Sequence, residues 1–458
     1  MADLSAVVKA YDIRGVVPDE LDATMARAVG AAFVRYLDSP TLVVGHDMRT
    51  SSPELAAALA EGAASAGAQV TLIGLASTDE LYFASGFLDQ PGAMITASHN
   101  PARYNGIKLC RAGAAPVGRT TGLADIAELA LRAGGGSRTG GPGGVSRRDV
   151  LTDYARYLTR LVDLRGLRPL TAVVDAANGM AGHTVPAVLG GTTVRVVPLY
   201  FELDGTFPHH EANPLDPSNL VDLCERVRRE HADIGLAFDG DADRCFVVDE
   251  RGEVVSPSAV TALVAVRELA RHPGATIIHN LITSRAVPEI VREHGGVPLR
   301  TPVGHSIIKA EMARSGAVFG GEHSGHYYFR DFWRADTGML AALNVLAALG
   351  EQEAPLSALM AGYTRYCASG EINSEVDDPQ ERIEALRAHF ADRETDVDTL
   401  DGLTLTTADW WLNVRPSNTE PLLRLNVEAV DGATMAAVRD EALGVIRSRH
   451  IAPGDRAE

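Results

Sequence analysis

The run TLVVGHD (41–47), SPELAAALAEGAASAG (52–67), VTLIGL (70–75), ELYFASGFL (80–88) and GAMITAS (92–98) decides the fold. Short apolar stretches bounded by turn residues alternate with stretches whose apolar residues recur at helical spacing. That is the grammar of βαβ units around a buried parallel sheet. It restarts at TAVVDAANG (171–179), passes through VRVVPLY (194–200) and a helical stretch NLVDLCERVRRE (219–230), and reaches IGLAFD (234–239) and CFVVDE (245–250). A third round carries ATIIHNL (275–281), VPLRTPV (297–303) and AVFGG (317–321). No residue-level repeat links the three rounds. The remainder changes character: EINSEV (371–376), LTLTTADWWLNVR (403–415) and LLRLNVEA (422–429) read as strands, flanked by helical PQERIEALRAHF (379–390) and TMAAVRDEALGVIR (434–447). The expected architecture is therefore α/β: three βαβ-type domains with mixed or parallel sheets and a smaller C-terminal α+β domain. GGGSRTGGPGG (134–144) breaks all periodicity and reads as a surface loop.

Composition narrows the function. The 458 residues carry 42 basic and 60 acidic side chains, a net charge of −18 with only 5% aromatics. Such a chain repels nucleic acid and anionic membranes and has little material for base stacking. Cys110, Cys224, Cys245 and Cys367 lie far apart, so neither a disulfide framework nor a zinc cluster is expected. The first residues lack a basic segment followed by an apolar one, and the apolar stretch MLAALNVLAALG (339–350) is too short for a bilayer. A cytoplasmic protein is expected. Only three basic residues are lysine: Lys9, Lys108 and Lys309. Under a coding bias toward arginine, a retained lysine marks a place where a compact ammonium is needed.

Ligands of open α/β sheets gather beyond the carboxyl ends of strands, and four polar loops sit at such places. In the first, Ser98 follows GAMI with His99 and Asn100 beside it and Lys108 ten positions on. A serine at a strand end is ordinarily a helix cap; this one has the neighbours a hydroxyl nucleophile needs. In the second, Asp239, Asp241 and Asp243 alternate between two apolar strands and must repel unless a cation neutralises them. Oxygen-only ligation suits Mg²⁺ or Ca²⁺. An EF-hand loop fails, since Arg244 stands where its sharp turn needs glycine and the flanks are strands. In the third, GGEHSGH (320–326) combines close-approach glycines with a carboxylate and a hydroxyl suited to vicinal sugar hydroxyls, and lacks a third ligand for zinc. In the fourth, RPSNTEP (415–421) is either a tight turn or a phosphate cradle built on a guanidinium fork. Together they spell phosphoryl transfer on a phosphosugar.

KAYDIRG (9–15), TASHNPARYNGIK (96–108), DGDADR (239–244), GHSIIK (304–309), GEHSGH (321–326) and RPSNTEP (415–421) occur in an order that resembles the α-D-phosphohexomutase superfamily, within it the bacterial phosphomannomutase/phosphoglucomutase group. The resemblance runs nearly end to end and implies four domains around a central cleft. These are a phosphoserine domain (1–145), a metal-binding domain (146–252), a sugar-binding domain (253–367) and a phosphate-binding domain (368–458). It implies that Ser98 is the phosphoserine, that Asp239, Asp241 and Asp243 bind Mg²⁺ with the Ser98 phosphate completing the coordination, and that a hexose 1,6-bisphosphate is both intermediate and activator. Substrate contacts fall to Tyr11, His99, Arg244, His305, Lys309, Glu322, Ser324, Arg415, Ser417, Asn418 and Thr419. General acid/base duty falls among Arg14, Lys108 and His326. A phosphoserine near −2 and three carboxylates total about −5, reduced to about −3 by one Mg²⁺. Arg14, Lys108, Arg244, Lys309 and Arg415 supply the cations an anionic substrate then needs. His323 stands where close relatives often carry another residue, which leaves glucose-specific and glucosamine phosphate mutases as alternatives to a mannose phosphate mutase. A serine phosphomonoesterase and a non-catalytic sensor are the remoter ones. Hexose phosphates are the expected partners, with the chain as monomer or dimer.

Overall fold

The computed structural model describes residues 4–132, 141–416 and 422–448. Three of the four polar loops of the sequence reading occupy one and the same topological position. In the first domain, parallel strands Thr41–His46, Gln69–Leu75 and Gly92–Ile95 are joined by helices Ser52–Ser65 and Thr78–Leu88. The antiparallel strand Tyr104–Arg111 then returns alongside Gly92–Ile95. The second domain repeats this with Leu170–Asp175, Val194–Leu199, Ile234–Phe238 and the returning Cys245–Asp249. The third does so with Thr276–Asn280, Val297–Thr301, Phe319–Gly321 and Tyr327–Phe329. In each sheet the spatial order is return strand, third, first, second. The chain segments 96–103, 239–244 and 322–326 are the links from the last parallel strand to its antiparallel return. The fourth domain is a five-stranded antiparallel sheet in which Trp410–Pro416 pairs with Leu422–Ala429.

One reading changes. Lys108 does not share a loop with Ser98: it lies on the strand Tyr104–Arg111, opposite Met94, and Ile13–Val16 of the KAYDIRG motif pairs on that strand's other side. The polar residues of YNGIK hid the alternation that marks a strand. Of the glycine-rich stretch, residues 134–140 lie outside the described residues. Val145–Arg147 just beyond it pairs in parallel with Val70–Leu72 on the edge of the first sheet.

One continuous apolar core, from Val43 to Met360, runs through the first three domains. The far face of the first sheet has its own core beneath helices Ala23–Leu37, Ser52–Ser65 and Leu123–Arg132. The fourth domain closes over a separate core containing Leu386, Leu412 and Leu425. Its links to the third domain include polar ones: Arg285 donates to the Thr407 and Ala408 carbonyls and Arg300 pairs with Asp398. No described helix is long and apolar enough to cross a membrane.

Asp79, in the first turn of Thr78–Leu88, joins three domains. Its buried carboxyl accepts from Ser77, from the Tyr154 hydroxyl at 2.8 Å and from Thr337 Oγ1 at 2.7 Å, the N-cap of Gly338–Gly350. Burial pushes the carboxyl up to about 7 from its ordinary 3.8, against those donors. Between these values the folded chain holds a proton that the unfolded chain has released, so this group makes stability fall as pH rises from about 4 to 7. Asp79→Asn should flatten that slope by an amount of order 2–4 kcal/mol. Thermal midpoints of both proteins at pH 5 and pH 8 check it; an equal pH dependence would contradict the assignment.

Candidate active site

Ser98 ends the run that follows strand Gly92–Ile95 and is 1% exposed, with φ at +53°. That left-handed conformation is uncommon for a residue with a Cβ and is kept only where neighbours enforce it. Its backbone N–H donates to Thr96 Oγ1 at 2.9 Å, and its Oγ lies 3.2 Å from His99 Nδ1 and donates to Asp239 Oδ2 at 2.8 Å. Burial, and then the charges of Arg244 and Arg14, push the His99 ring well below the usual imidazole range, so it is neutral. The turn carrying Asp239 touches the serine backbone directly. A Cβ on Gly240 would lie 2.5 Å from the Ser98 carbonyl oxygen, so only glycine permits that approach.

Asp239, Asp241 and Asp243 are fully buried, each with an oxygen within 4.8 Å of the others. Lys108 reaches across from the first domain and donates to Asp241 Oδ2 and Asp243 Oδ2, both at 2.7 Å; Thr78 Oγ1 also donates to Asp241 Oδ2, at 2.6 Å. The opposite oxygens, Asp241 Oδ1 and Asp243 Oδ1, accept no hydrogen bond. Burial and the two neighbouring carboxylates drive Asp239 well above the carboxylate range. Burial and Asp241 push Asp243 up to about 6. Burial works on Asp241 in the same sense, yet the Lys108 ammonium holds it below the usual range. Three buried carboxylates with two orphaned oxygens, set against Lys108 and the Arg244 Nε 3.5 Å from Asp239 Oδ2, are still short of positive charge, and that donor set fits a divalent, oxygen-binding cation.

The third loop meets the second. Arg244 and His326 form an antiparallel backbone bridge, and Arg244 Nε lies 3.2 Å from His326 Nε2. His326 Nδ1 lies 2.9 Å from Ser324 Oγ. Glu322 is buried and accepts from Tyr328 at 2.6 Å, Asn280 at 3.1 Å and the Gly304 backbone N–H at 3.3 Å; burial raises its carboxyl. Tyr11 approaches from the first domain, where a Cβ on Gly304 would strike its hydroxyl at 2.2 Å. Burial, and then the charges of Glu322 and Asp401, raise the Tyr11 hydroxyl, while Arg415 lowers it. Residues of all four domains therefore converge. Arg14 pairs with Asp12 and donates to Asn100. Arg415 is 5% exposed and donates to Glu371 Oε2 at 2.9 Å, a carboxylate it shares with Arg424. His323 lines a cavity of about 240 Å³ between the third and fourth domains, beside Trp411 and Tyr366.

Lys309, expected among the substrate contacts, is paired inside the protein. It is 3% exposed, with its ammonium 2.5 Å from Asp336 Oδ1 and 3.9 Å from the Tyr82 ring centre. The helix His305–Ser315 turns it inward, where a buried carboxylate neutralises it. Lys9 is exposed and donates to the Ala6 carbonyl, so its retention marks no such site. Ser417, Asn418, Thr419 and the His305 side chain lie outside the described residues. The sequence reading passed over Asp336, whose Oδ2 lies 3.9 Å from His326 Nε2, as well as Thr78 and Arg49. Arg49 carried a signal: it directly follows a buried strand on the sheet edge that presents Ser98.

Four ordered matches cover this arrangement. Residues 5–132, 152–252 and 256–366 match the phosphoglucomutase/phosphomannomutase alpha/beta/alpha domains I, II and III, and residues 371–445 match the C-terminal domain of that family. Phosphohexose mutases of Xanthomonas campestris pv. campestris are 40% identical over 95% of this chain and 97% of theirs. A phosphomannomutase of Escherichia coli is 39% identical over 96% and 98%. The crystal structure of a phosphoglucomutase/phosphomannomutase family protein from Burkholderia thailandensis superimposes with a TM-score of 0.89 at 34% identity, covering 99% of each chain. The fold and these likenesses define a mutase, an enzyme of the isomerase class that works on phosphohexoses. The chain belongs to the phosphoglucomutase/phosphomannomutase family.

Proposed function

We propose that the protein interconverts mannose 6-phosphate and mannose 1-phosphate, and glucose phosphates as well, in the cytoplasm. In this reading Ser98 carries the phosphoryl group and a hexose 1,6-bisphosphate is the intermediate. The observation that carries it is the Ser98 hydroxyl 2.8 Å from Asp239 in a buried trio of carboxylates. Asp239, Asp241 and Asp243 would hold Mg²⁺. When bound, the ion offsets charge building on the transferred group and its acceptor oxygen. The first domain contributes the phosphoserine, the second the metal ligands, the third the sugar contacts and the fourth the clamp on the phosphate not being transferred.

Within that frame each side chain has a task. Glu322 and Ser324 orient the sugar hydroxyls, with Glu322 held by Tyr328 and Asn280. Lys108, Arg14 and Arg244 balance the oxyanion charge. Lys309 acts through Asp336. Arg14 and Lys108 are both tied to carboxylates, which leaves His326 as the candidate to move a proton at the sugar hydroxyl. The test is mutase flux with mannose, glucose and glucosamine 1-phosphates, with and without added bisphosphate. Mannose and glucose phosphates should turn over, and glucosamine phosphate poorly. Release of inorganic phosphate without dependence on bisphosphate would replace this reading with a phosphomonoesterase.

The clamp gives a second test. Arg415 is fixed by Glu371 and would take the distal phosphate with Ser417, Asn418 and Thr419. Arg415→Ala should lower kcat/KM by about 1.5–3 kcal/mol, the range for one charge-assisted hydrogen bond. It should also let more bisphosphate escape per turnover, since the distal phosphate tethers the intermediate as it turns. Phosphoserine content at rest should hold. Unchanged kcat/KM and unchanged bisphosphate release would return the loop to a plain turn.

A further inference from the structure

We propose that Arg49 is the positioning residue that holds the Ser98 loop in its strained form; the proposal rests on reading Ser98 as the phosphoryl carrier. Arg49 follows strand Thr41–His46 and is 1% exposed, yet it faces no substrate group. Its guanidinium is spent on the loop's own backbone. Nη1 donates to the carbonyls of Pro101 and Tyr104, both at 2.9 Å, and Nη2 to those of Ser98 at 2.8 Å and Asn100 at 2.6 Å. Nε faces Asp47 Oδ2 at 3.3 Å. Four of the five N–H groups of the planar fork thereby reach carbonyls spread over seven residues, while Nε meets Asp47 as an ion pair without a hydrogen bond.

Two further observations make this more than packing. The loop needs a restraint, because Ser98 sits at φ +53° and relaxation of that dihedral would swing its hydroxyl away from Asp239. The restraint is also built from two domains. The Phe207 ring of the second domain lies 5.0 Å from the guanidinium, and Gly205 comes so close that a Cβ there would sit 2.5 Å from Arg49 Cα. Asp47 is in turn fixed by Ser52 Oγ at 2.5 Å and by the Arg49 backbone N–H at 3.0 Å. The domain that supplies the carboxylates thus also braces the loop that supplies the hydroxyl.

Arg49→Lys separates this role from bulk stability. A lysine keeps a cation beside Asp47 but is a point donor that cannot span four carbonyls. Apart from His99, the substrate contacts lie on other elements. The variant should therefore lose about 100-fold in kcat, the scale of a misplacement near 1 Å at the reacting group, with KM moving less than about threefold. Phosphoserine content by intact mass, kcat, KM and thermal midpoint are read on wild type and variant together. Wild-type kcat per folded molecule, or a loss seen in KM in place of kcat, would overturn the proposal. Phosphate absent from active wild type would remove the Ser98 reading and this proposal with it, whereas phosphorylated wild type beside a fully active Arg49→Lys would sink the Arg49 role alone. Should the lysine variant not fold, Phe207→Leu carries the test: it removes the ring over the guanidinium and leaves the hydrogen bonds. About fivefold lower kcat at constant KM is expected from a lost cation–π contact, and unchanged kcat would overturn the role.

Discussion

Ser98→Ala is expected to lower mutase kcat by at least about 10⁴-fold while leaving the fold intact, the scale at which an enzyme loses its nucleophile. The side chain is small and buried, and its removal opens no cavity large enough to collapse the loop. The Ser98 hydroxyl is held against the carboxylate trio, donating to Asp239 Oδ2 at 2.8 Å. Intact-mass spectrometry should show one phosphoryl group on active wild type and none on the variant, and added bisphosphate should not restore turnover. Turnover by the alanine variant at a tenth of the wild-type rate or more would mean that phosphate passes between substrates by another route.

Chelation is expected to have the next largest effect. Removing divalent metal should drop the rate by about 10³-fold or more, corresponding to several kcal/mol of charge stabilisation, and Mg²⁺ should restore it. The reason is electrostatic. In Asp239, Asp241 and Asp243 the chain has buried three carboxylates against the Lys108 ammonium and the Arg244 guanidinium, and burial drives two of the three toward the protonated form. An all-oxygen donor set with no sulfur favours Mg²⁺ over Zn²⁺, so zinc should substitute poorly or inhibit. Full activity in excess EDTA would leave the trio without its assigned role.

The α/β class and the four polar loops were legible in the sequence because both announce themselves locally. Apolar runs such as LVV and GLAF set the strands, and polar clusters follow each one. The supporting residues were not legible, because their partners are remote. Thr78 meets Asp241 across 163 positions, and Arg49 meets Ser98 across 49. The partner of Lys309 was hidden as well: the carboxylate that pairs with it, Asp336, belongs to a strand of two residues with no periodic signal. The threefold repetition of strand order was hidden too, since backbone topology can persist when no side chain is shared.

The three-domain junction at Asp79 also bears on how the chain is made. Its acceptor oxygens wait for Tyr154 and then for Thr337, which lies 258 positions later. At about 5–20 residues per second, Thr337 emerges from the ribosome roughly 13–50 s after Asp79. Through that interval the nascent first domain carries a buried-type carboxyl and one face of a shared apolar core without their cover. The N-terminal domain therefore lacks part of its packing until most of the polypeptide has been synthesised.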